Sequence, residues 1–290
     1  MSRESFIDIR FSAEREAMLH TIDTIVGEYQ VAGYTMTVRQ LYYQLVARGF
    51  VENTLNSYKR IASLVNDGRM AGKIDWRAIE DRTRDFTRRP RWTGGSDILG
   101  AVADQFHMDA WAGQHRRVFV IVEKEALVGV LESVCWQYDV PLMAARGYPS
   151  ASVLYDFAQK DIVDSDFPLI LHLGDHDPSG LDMTRDLEER IRLLAYGGDF
   201  EMRRIALNYD QIATLNPPPN PAKATDARFD NYARKFGRQS WELDALPPDY
   251  LVELVRANVA AEIDEGAWKR REDEIADVKL RLSRLAEEFE

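Results

Sequence analysis

The sequence has 290 residues, one cysteine and a formal net charge of −11 at pH 7. Such a length allows one large or two modest domains with real cores, and a lone cysteine excludes an internal disulfide. The first residues lack the apolar core of a signal peptide, and no apolar run approaches membrane-spanning length. We therefore expect a soluble, cytoplasmic protein with no membrane partner.

The charge is distributed unevenly along the chain. Residues 39–91 contain 12 Lys and Arg against 6 Asp and Glu, whereas residues 118–290 contain 20 against 33. This separation fits a basic module that contacts DNA, joined to an acidic remainder that holds a metal. An ordinary solvated surface is the alternative.

Apolar residues at helical spacing predict three helices in the first part of the chain. The first lies within the first thirty residues. The second runs between Thr37, a favourable N-cap, and Gly49, a favourable stop. The third follows a short turn and carries basic residues on its outer face. Two helices joined in this way fit a helix-turn-helix or winged-helix unit that lies in a DNA groove.

The second helix contains two adjacent tyrosines with different predicted environments. Tyr42 belongs to the core-facing stripe of that helix, and Tyr43 is predicted to point away from it. Arg39 is one helical turn earlier and therefore a surface neighbour of Tyr43.

Arginines and aromatic residues alternate in the segment that follows. This composition suits phosphate contact and base stacking, and it suits an ordinary domain interface equally well. The residues concerned are Trp76, Arg77, Arg82, Arg84, Phe86, Arg88, Arg89, Arg91 and Trp92.

Two short apolar runs predict buried strands that end directly in acidic residues. Residues 118–122 lead into Glu123, and residues 169–173 lead into Asp175 and Asp177. Helical patterns alternate with strand patterns between and after these runs, which predicts a parallel sheet covered on both faces. Functional sites in such sheets form at the carboxyl ends of strands, where these three acids are expected to converge.

The acidic residues predict a magnesium site. If strand geometry persists to the acids, Asp175 and Asp177 leave the strand on the same face, where their like charges repel unless a cation lies between them. Carboxylate oxygens suit Mg²⁺. A solvated acidic turn is the alternative. Ser179 and Asp182 have the spacing of a capping box for the next helix.

Four motifs resemble one family. VIVEKEALVGVLESV, ARGYPS and GDHDPSGLD resemble, in order, the Toprim domain of the topoisomerase VI A subunit and its meiotic double-strand-break relatives. The pattern T-x-R-x-x-Y-Y at residues 37–43 resembles the nucleophile helix in the winged-helix domain of the same family. The resemblance covers roughly residues 35–195 and is nearest to the compact stand-alone type of bacteria, plasmids and phages. One departure is His176, where the family more often has a small residue.

The resemblance implies a role for each matching residue. Glu123, Asp175 and Asp177 would hold Mg²⁺, or Mn²⁺ in its place, and Lys124 would lie beside the site. Tyr43 would attack the DNA phosphodiester, and Arg39 would orient the phosphate.

We therefore expect an α/β fold. A Toprim-like domain at residues 113–265 would follow a helical, winged-helix-like DNA-binding domain at residues 1–112 and precede a C-terminal helix at residues 266–290. The expected activity is Mg²⁺-dependent DNA cleavage of the type IIB topoisomerase A-subunit kind. The alternatives are a hydrolytic Toprim nuclease of the defence or plasmid-restriction type, in which Tyr43 is structural, and a DNA-binding subunit with vestigial acids.

The resemblance also implies partners. They are double-stranded DNA, a second copy in a homodimer whose tyrosine works with the acids of the other protomer, and a separate ATPase subunit, because the chain has no nucleotide-binding glycine pattern.

The last part of the chain has fewer signals. Residues 202–208 predict another strand, and residues 216–221 predict a stiff connector. Residues 229–246 are predicted to return to the core, with Glu242 as an additional acid only in a minor interpretation. A short heptad pattern at residues 275–289 predicts either a dimer contact or packing against the chain's own domain.

Overall fold

The structure is a computed structural model in which residues 3–80, 89 and 91–289 are described. Its described part is mixed α/β. The helices are α1 (Ala13–Val31), α2 (Val38–Ala47), α3 (Leu55–Met70), α4 (Gly95–Gln105), α5 (Val128–Gln137), α6 (Ala151–Phe157), α7 (Pro178–Leu194), α8 (Tyr209–Leu215), α9 (Phe229–Phe236), α10 (Pro248–Ala260) and α11 (Glu265–Glu287). The strands are β1 (Val118–Val122), β2 (Leu142–Ala144), β3 (Leu169–Leu173), β4 (Glu201–Ala206), β5 (Asn220–Pro221) and β6 (Gln239–Ser240).

The predicted parallel sheet is confirmed. Its strand order is β2-β1-β3-β4, and every neighbouring pair is parallel. The strand predicted at residues 202–208 is its edge strand β4. Strands β1 and β3 are buried at every position because helices cover both faces of the sheet. Alternate residues point to opposite faces: Val120 and Leu171 pack toward α5 and α10, and Phe119 and Ile170 pack toward α6 and α7.

The N-terminal helices have a core of their own. Ile22 of α1, Leu41 of α2 and Ile61 of α3 pack in one cluster, and Ala245, from the segment between β6 and α10, joins it. Thr37 is the N-cap of α2, as predicted, and it forms a capping box with Gln40. Strand pairing beside these helices is limited, within residues 3–80, to isolated bridges such as Met36 with Ile79. A winged-helix architecture is therefore still a prediction.

The arginine-rich segment is described only in part. The predictions for Arg82, Arg84, Phe86 and Arg88 lie outside the described residues. Trp76 packs edge-on against Phe6, with the Arg69 guanidinium 4.7 Å from its ring centroid. At this position the segment serves as a packing interface.

The C-terminal helix packs within its own chain. Helix α11 lies along α4, and Lys279 Nζ of α11 donates to the Asp104 carbonyl oxygen of α4 at 3.1 Å. Trp268, near the start of α11, stacks edge-on against Trp111. Of the two interpretations of the heptad pattern, packing against the same chain is observed. No helix among the described residues is long and apolar enough to cross a membrane.

Candidate active site

A pocket of about 760 Å³ lies where the carboxyl ends of β1 and β3 meet helix α2. Glu123, Asp175 and Asp177 line it, as the sequence predicted. Tyr43 and Arg39 of α2 line the same pocket. The tyrosine and the acids are therefore brought together within one chain, and a second protomer is not needed to make them neighbours.

Asp177 is the N-cap of helix α7. Its Oδ1 accepts hydrogen bonds from the Gly180 amide at 2.6 Å and from Ser179 Oγ at 2.8 Å. The predicted capping box of Ser179 and Asp182 is therefore wrong, because the cap lies two residues earlier. Strand β3 also ends before the acids, so Asp175 and Asp177 do not share one strand face. One oxygen of Asp177 is used to start the helix.

The loop between β3 and α7 is closely packed. A Cβ on Gly180 would overlap the carbonyl oxygen of Asp175, so only glycine fits there. Arg204 of β4 lies beneath the loop and donates to the carbonyl oxygens of Gly174 at 2.8 Å and Asp175 at 2.7 Å. Glu123 Oε2 accepts the Asp175 amide at 2.8 Å. These bonds hold the acidic loop against β1 and β4.

Lys124 lies inside the acidic cluster. Its Nζ is 3.1 Å from Asp175 Oδ2 and 3.0 Å from Asp244 Oδ1, and it also contacts Glu242 Oε2. Burial alone would lower the pKa of Lys124, but the carboxylates of Asp244, Asp175 and Glu242 raise it above its ordinary value. The ammonium therefore stays charged and supplies positive charge among the acids.

Two carboxylates of this cluster come from a distant segment. Sequence reasoning gave Glu242 only a minor interpretation and missed Asp244, whose side chain is 0% exposed. Leu243 between them is buried in the main core, and its amide donates to Asp175 Oδ1 at 2.7 Å. The available signal was two acids at i and i+2 in an otherwise apolar run, WELDAL.

His176 fixes this segment to the acidic loop. Its backbone forms two hydrogen bonds with Trp241, at 2.8 and 3.0 Å. Its ring is buried among aromatic side chains, and Nδ1 lies 2.9 Å from Tyr232 Oη. Burial lowers the pKa of His176 to about 4, so the ring is neutral at physiological pH. His176 therefore connects the loop to the segment that carries Glu242 and Asp244.

Tyr43 does not point away from the core as predicted. It is only 5% exposed, because Ala245 and its neighbours pack on a second side of α2. Tyr42 Oη accepts the Thr54 amide at 2.9 Å and donates to the Thr54 carbonyl oxygen at 3.0 Å. Within the described part of the chain, the Tyr43 hydroxyl has no hydrogen-bond partner. The two tyrosines thus differ in what their hydroxyls do.

The charged side chains around Tyr43 have opposite effects on its pKa. Burial raises the pKa of Tyr43 to about 12, and the carboxylates of Glu242 and Asp244 add to this effect. Arg39 and Lys124 act in the opposite direction. Arg39, predicted to orient a phosphate, is itself held by Glu242 at 2.7 Å and lies 3.3 Å from Asp244. In this arrangement Tyr43 is a protonated phenol.

The acids have the oxygen donors that Mg²⁺ prefers, but they do not form a preformed metal-binding site. Across residues 3–80, 89 and 91–289, no group of three or more His, Cys, Asp or Glu could hold a metal ion. Lys124 and Leu243 engage both oxygens of Asp175. Glu123 and Asp177 each keep one oxygen without a hydrogen-bond partner among the described residues. Because Mg²⁺ is usually held by one or two carboxylates with waters and substrate phosphates, these two fit it.

No protein-family model and no curated protein matches the sequence.

Proposed function

We propose that this protein cleaves DNA by transferring a backbone phosphoryl group to Tyr43. The observation that carries the proposal is that the unbonded hydroxyl of Tyr43 lines one pocket with Glu123, Asp175 and Asp177. A nucleophile needs a free oxygen beside groups that can balance charge on the phosphate. Tyr42, whose hydroxyl is bound to Thr54, lacks that freedom.

In the proposed reaction, Tyr43 Oη attacks phosphorus and forms a phosphotyrosine ester while the bond from phosphorus to one sugar oxygen breaks. The phenol proton passes to solvent in the pocket. Burial raises the pKa of Asp175 to about 8 against the opposing effect of Lys124, so at neutral pH Asp175 can give a proton to the leaving sugar oxygen. Lys124 and Arg39 supply positive charge near the phosphate.

Tyr43 needs additional activation because its pKa is raised to about 12. A Mg²⁺ or Mn²⁺ ion held by Glu123 and Asp177 would supply positive charge to the phosphate oxygens. Asp177 lies close enough to Glu123 to contribute, after burial, to the raised pKa of that residue. Both residues also line the same pocket, which supports a shared cation site.

The same proposal includes the architecture and the partners. Acids at the carboxyl ends of parallel β1 and β3 support a Toprim-like domain, and the three helices α1–α3 support a winged-helix-like DNA-binding domain. Double-stranded DNA, a homodimer with two sites for two strands, and a separate ATPase subunit belong to this proposal.

A second candidate is a metal-dependent nuclease in which water attacks. The observation that favours it is that burial raises the pKa of Tyr43 to about 12, so its phenol is a weak nucleophile near neutral pH. In this reaction Tyr43 would be a structural residue.

Cleavage of labelled duplex DNA in the presence of Mg²⁺, followed by denaturing electrophoresis, distinguishes the two. With Tyr43 as nucleophile, a covalent protein–DNA adduct survives denaturation, and Tyr43→Phe abolishes both adduct and cutting. Tyr58→Phe is the matched control, because Tyr58 lines the same pocket and is expected to keep activity. An active Tyr43→Phe protein without an adduct would refute the tyrosine reaction.

A further inference from the structure

Two cations from different parts of the chain are held by the same pair of carboxylates. Arg39 Nη2 is 2.7 Å from Glu242 Oε2, and Arg39 Nε is 3.3 Å from Asp244 Oδ2. Lys124 Nζ contacts Glu242 and lies 3.0 Å from Asp244 Oδ1. Both cations line the pocket that contains Tyr43. The acids therefore neutralise the cations that a phosphate entering the pocket would bind.

The two carboxylates differ in their freedom to move. The Asp244 side chain is 0% exposed, and its Oδ2 has no hydrogen-bond partner among the described residues although Arg39 is close. The Glu242 side chain is 23% exposed and has one more methylene than Asp244. Its second oxygen meets only the Asn220 amide, at 3.3 Å. Glu242 can turn toward solvent, and Asp244 cannot.

We propose that Arg39 and Lys124 form a phosphate-binding site that the Glu242 carboxylate fills until a DNA backbone phosphate displaces it. Asp244 remains in place as the permanent counter-ion. A guanidinium and an ammonium bind carboxylate and phosphate oxygens with the same donors, so one anion can replace the other. The inference rests on the proposed function in one respect, namely that the arriving phosphate belongs to DNA.

The mouth of the pocket supports the entry of an anion. Lys223 lines it, is exposed, and makes no ion pair with any described residue. Arg146, also exposed, lines the same pocket, where its Nε is paired with Glu125 at 2.7 Å. A phosphate backbone that enters the pocket toward Arg39 and Lys124 therefore meets the ammonium of Lys223, while the displaced Glu242 carboxylate turns toward solvent.

The test is DNA affinity, measured by fluorescence anisotropy with labelled duplex DNA, without Mg²⁺ and in a Tyr43→Phe background so that no cleavage occurs. Glu242→Gln removes the competing charge and should tighten binding by about tenfold, a change of about 1.4 kcal/mol. Asp244→Asn also removes a negative charge beside both cations, but it should tighten binding less than Glu242→Gln, because Asp244 stays in place and does not compete with the phosphate for the donors of Arg39 and Lys124. Glu272→Gln on α11 makes the same change in net charge far from the pocket and should have no effect.

Equal tightening by Glu242→Gln and Glu272→Gln would overturn the proposal, and so would unchanged or weaker binding by Glu242→Gln. Circular dichroism verifies folding. If Glu242→Gln does not fold, Glu242→Asp replaces it: this variant keeps the charge but is too short to reach both cations, and it should also tighten binding. Unchanged affinity of a folded Glu242→Asp would then refute the site.

Failure of the phosphate-site proposal can be distinguished from failure of the proposed DNA cleavage. Activity of Tyr43→Phe would refute the tyrosine reaction and leave the order of affinities intact. Inorganic pyrophosphate tests the phosphate site without DNA by calorimetry. If pyrophosphate binds Glu242→Gln more tightly than the wild type and duplex DNA binds neither, the site stands and the DNA proposal falls. If neither ligand prefers Glu242→Gln, the site falls.

Discussion

Removing one hydroxyl from each of the two adjacent tyrosines should affect stability in different ways. Tyr42→Phe leaves the Thr54 amide without the acceptor that it meets at 2.9 Å. Thr54 is also the N-cap of α3, since its side chain accepts the Ser57 amide at 3.1 Å. Tyr43→Phe removes a hydroxyl that has no hydrogen bond among the described residues. The first change therefore disturbs the start of a helix, and the second does not.

The expected loss of stability in Tyr42→Phe depends on how exposed Thr54 is. An unsatisfied backbone donor costs about 1–3 kcal/mol when it is buried, and Thr54 is exposed, so we expect about 1 kcal/mol for Tyr42→Phe. For a chain of this size, 1 kcal/mol corresponds to roughly 2–4 °C in Tm. Tyr43→Phe should remain within about 0.5 kcal/mol of the wild type because no hydrogen bond is lost.

Urea denaturation followed by circular dichroism measures both free energies of unfolding. The hydroxyl of Tyr42 is thus a structural group, and Tyr42→Phe is unsuitable as a silent control for cleavage. A Tyr43→Phe protein that loses as much stability as Tyr42→Phe would show that the Tyr43 hydroxyl has a structural partner. That result would remove the observation on which the proposed nucleophile rests.

Four other predictions can be checked with similar methods. Burial would raise the pKa of Glu242, but Lys124 and Arg39 lower it from 4.5 to about 2, so the ionised carboxylate stabilises the fold above pH 4.5 and this stabilisation is lost as the pH falls toward 2. Glu242→Gln should therefore lower the free energy of unfolding by about 3 kcal/mol at pH 7 and by almost nothing at pH 2. An equal loss at both pH values would contradict this. Mg²⁺ should raise the Tm of the wild type but not that of Asp177→Asn, because this variant keeps an N-cap and loses a metal ligand. Equal shifts in Tm would refute the proposed cation site. Gly180→Ala should lower the Tm markedly because the added Cβ meets the Asp175 carbonyl oxygen, whereas Gly27→Ala in α1 has open space around it and should raise the Tm slightly. Equal effects of the two variants would contradict the close packing around Gly180. Light scattering with duplex DNA should show a homodimer, and a strict monomer that cuts both strands would refute it.

The sequence was sufficient to predict the sheet and the acids at its edge. Residues 118–122 and 169–173 are continuous apolar runs because β1 and β3 are buried on both faces, and this burial leaves a direct signal in composition. Glu123 and Asp175 then follow the strands by sequence position alone. Local pattern and tertiary structure agree here because burial on both faces selects apolar residues at every position of each strand, although the paired strands are distant in sequence.

The remaining half of the site depends on long-range pairing that no local pattern reports. Glu242 and Asp244 reach the pocket because Trp241 pairs with His176, which is 65 positions earlier in the chain. The helical wheel misplaced Tyr43 for a related reason. A wheel assumes one buried face, and α2 has two, since the segment around residue 245 covers the second.

The charges of the site link the cation to the behaviour of Glu242. Carboxylates outnumber cations around the inner pocket: Glu123, Asp175, Asp177, Glu242 and Asp244 face Lys124, Arg39 and Arg204. Burial in a low dielectric makes this excess of negative charge costly, and the raised pKa values of Glu123 and Asp175 are one response to it. A phosphodiester brings another negative charge, so it enters only if that charge is compensated. A divalent cation at Glu123 and Asp177 adds positive charge on one side of the pocket, and displacement of Glu242 removes negative charge on the other. The Mg²⁺ and Glu242 experiments therefore test two parts of one electrostatic requirement.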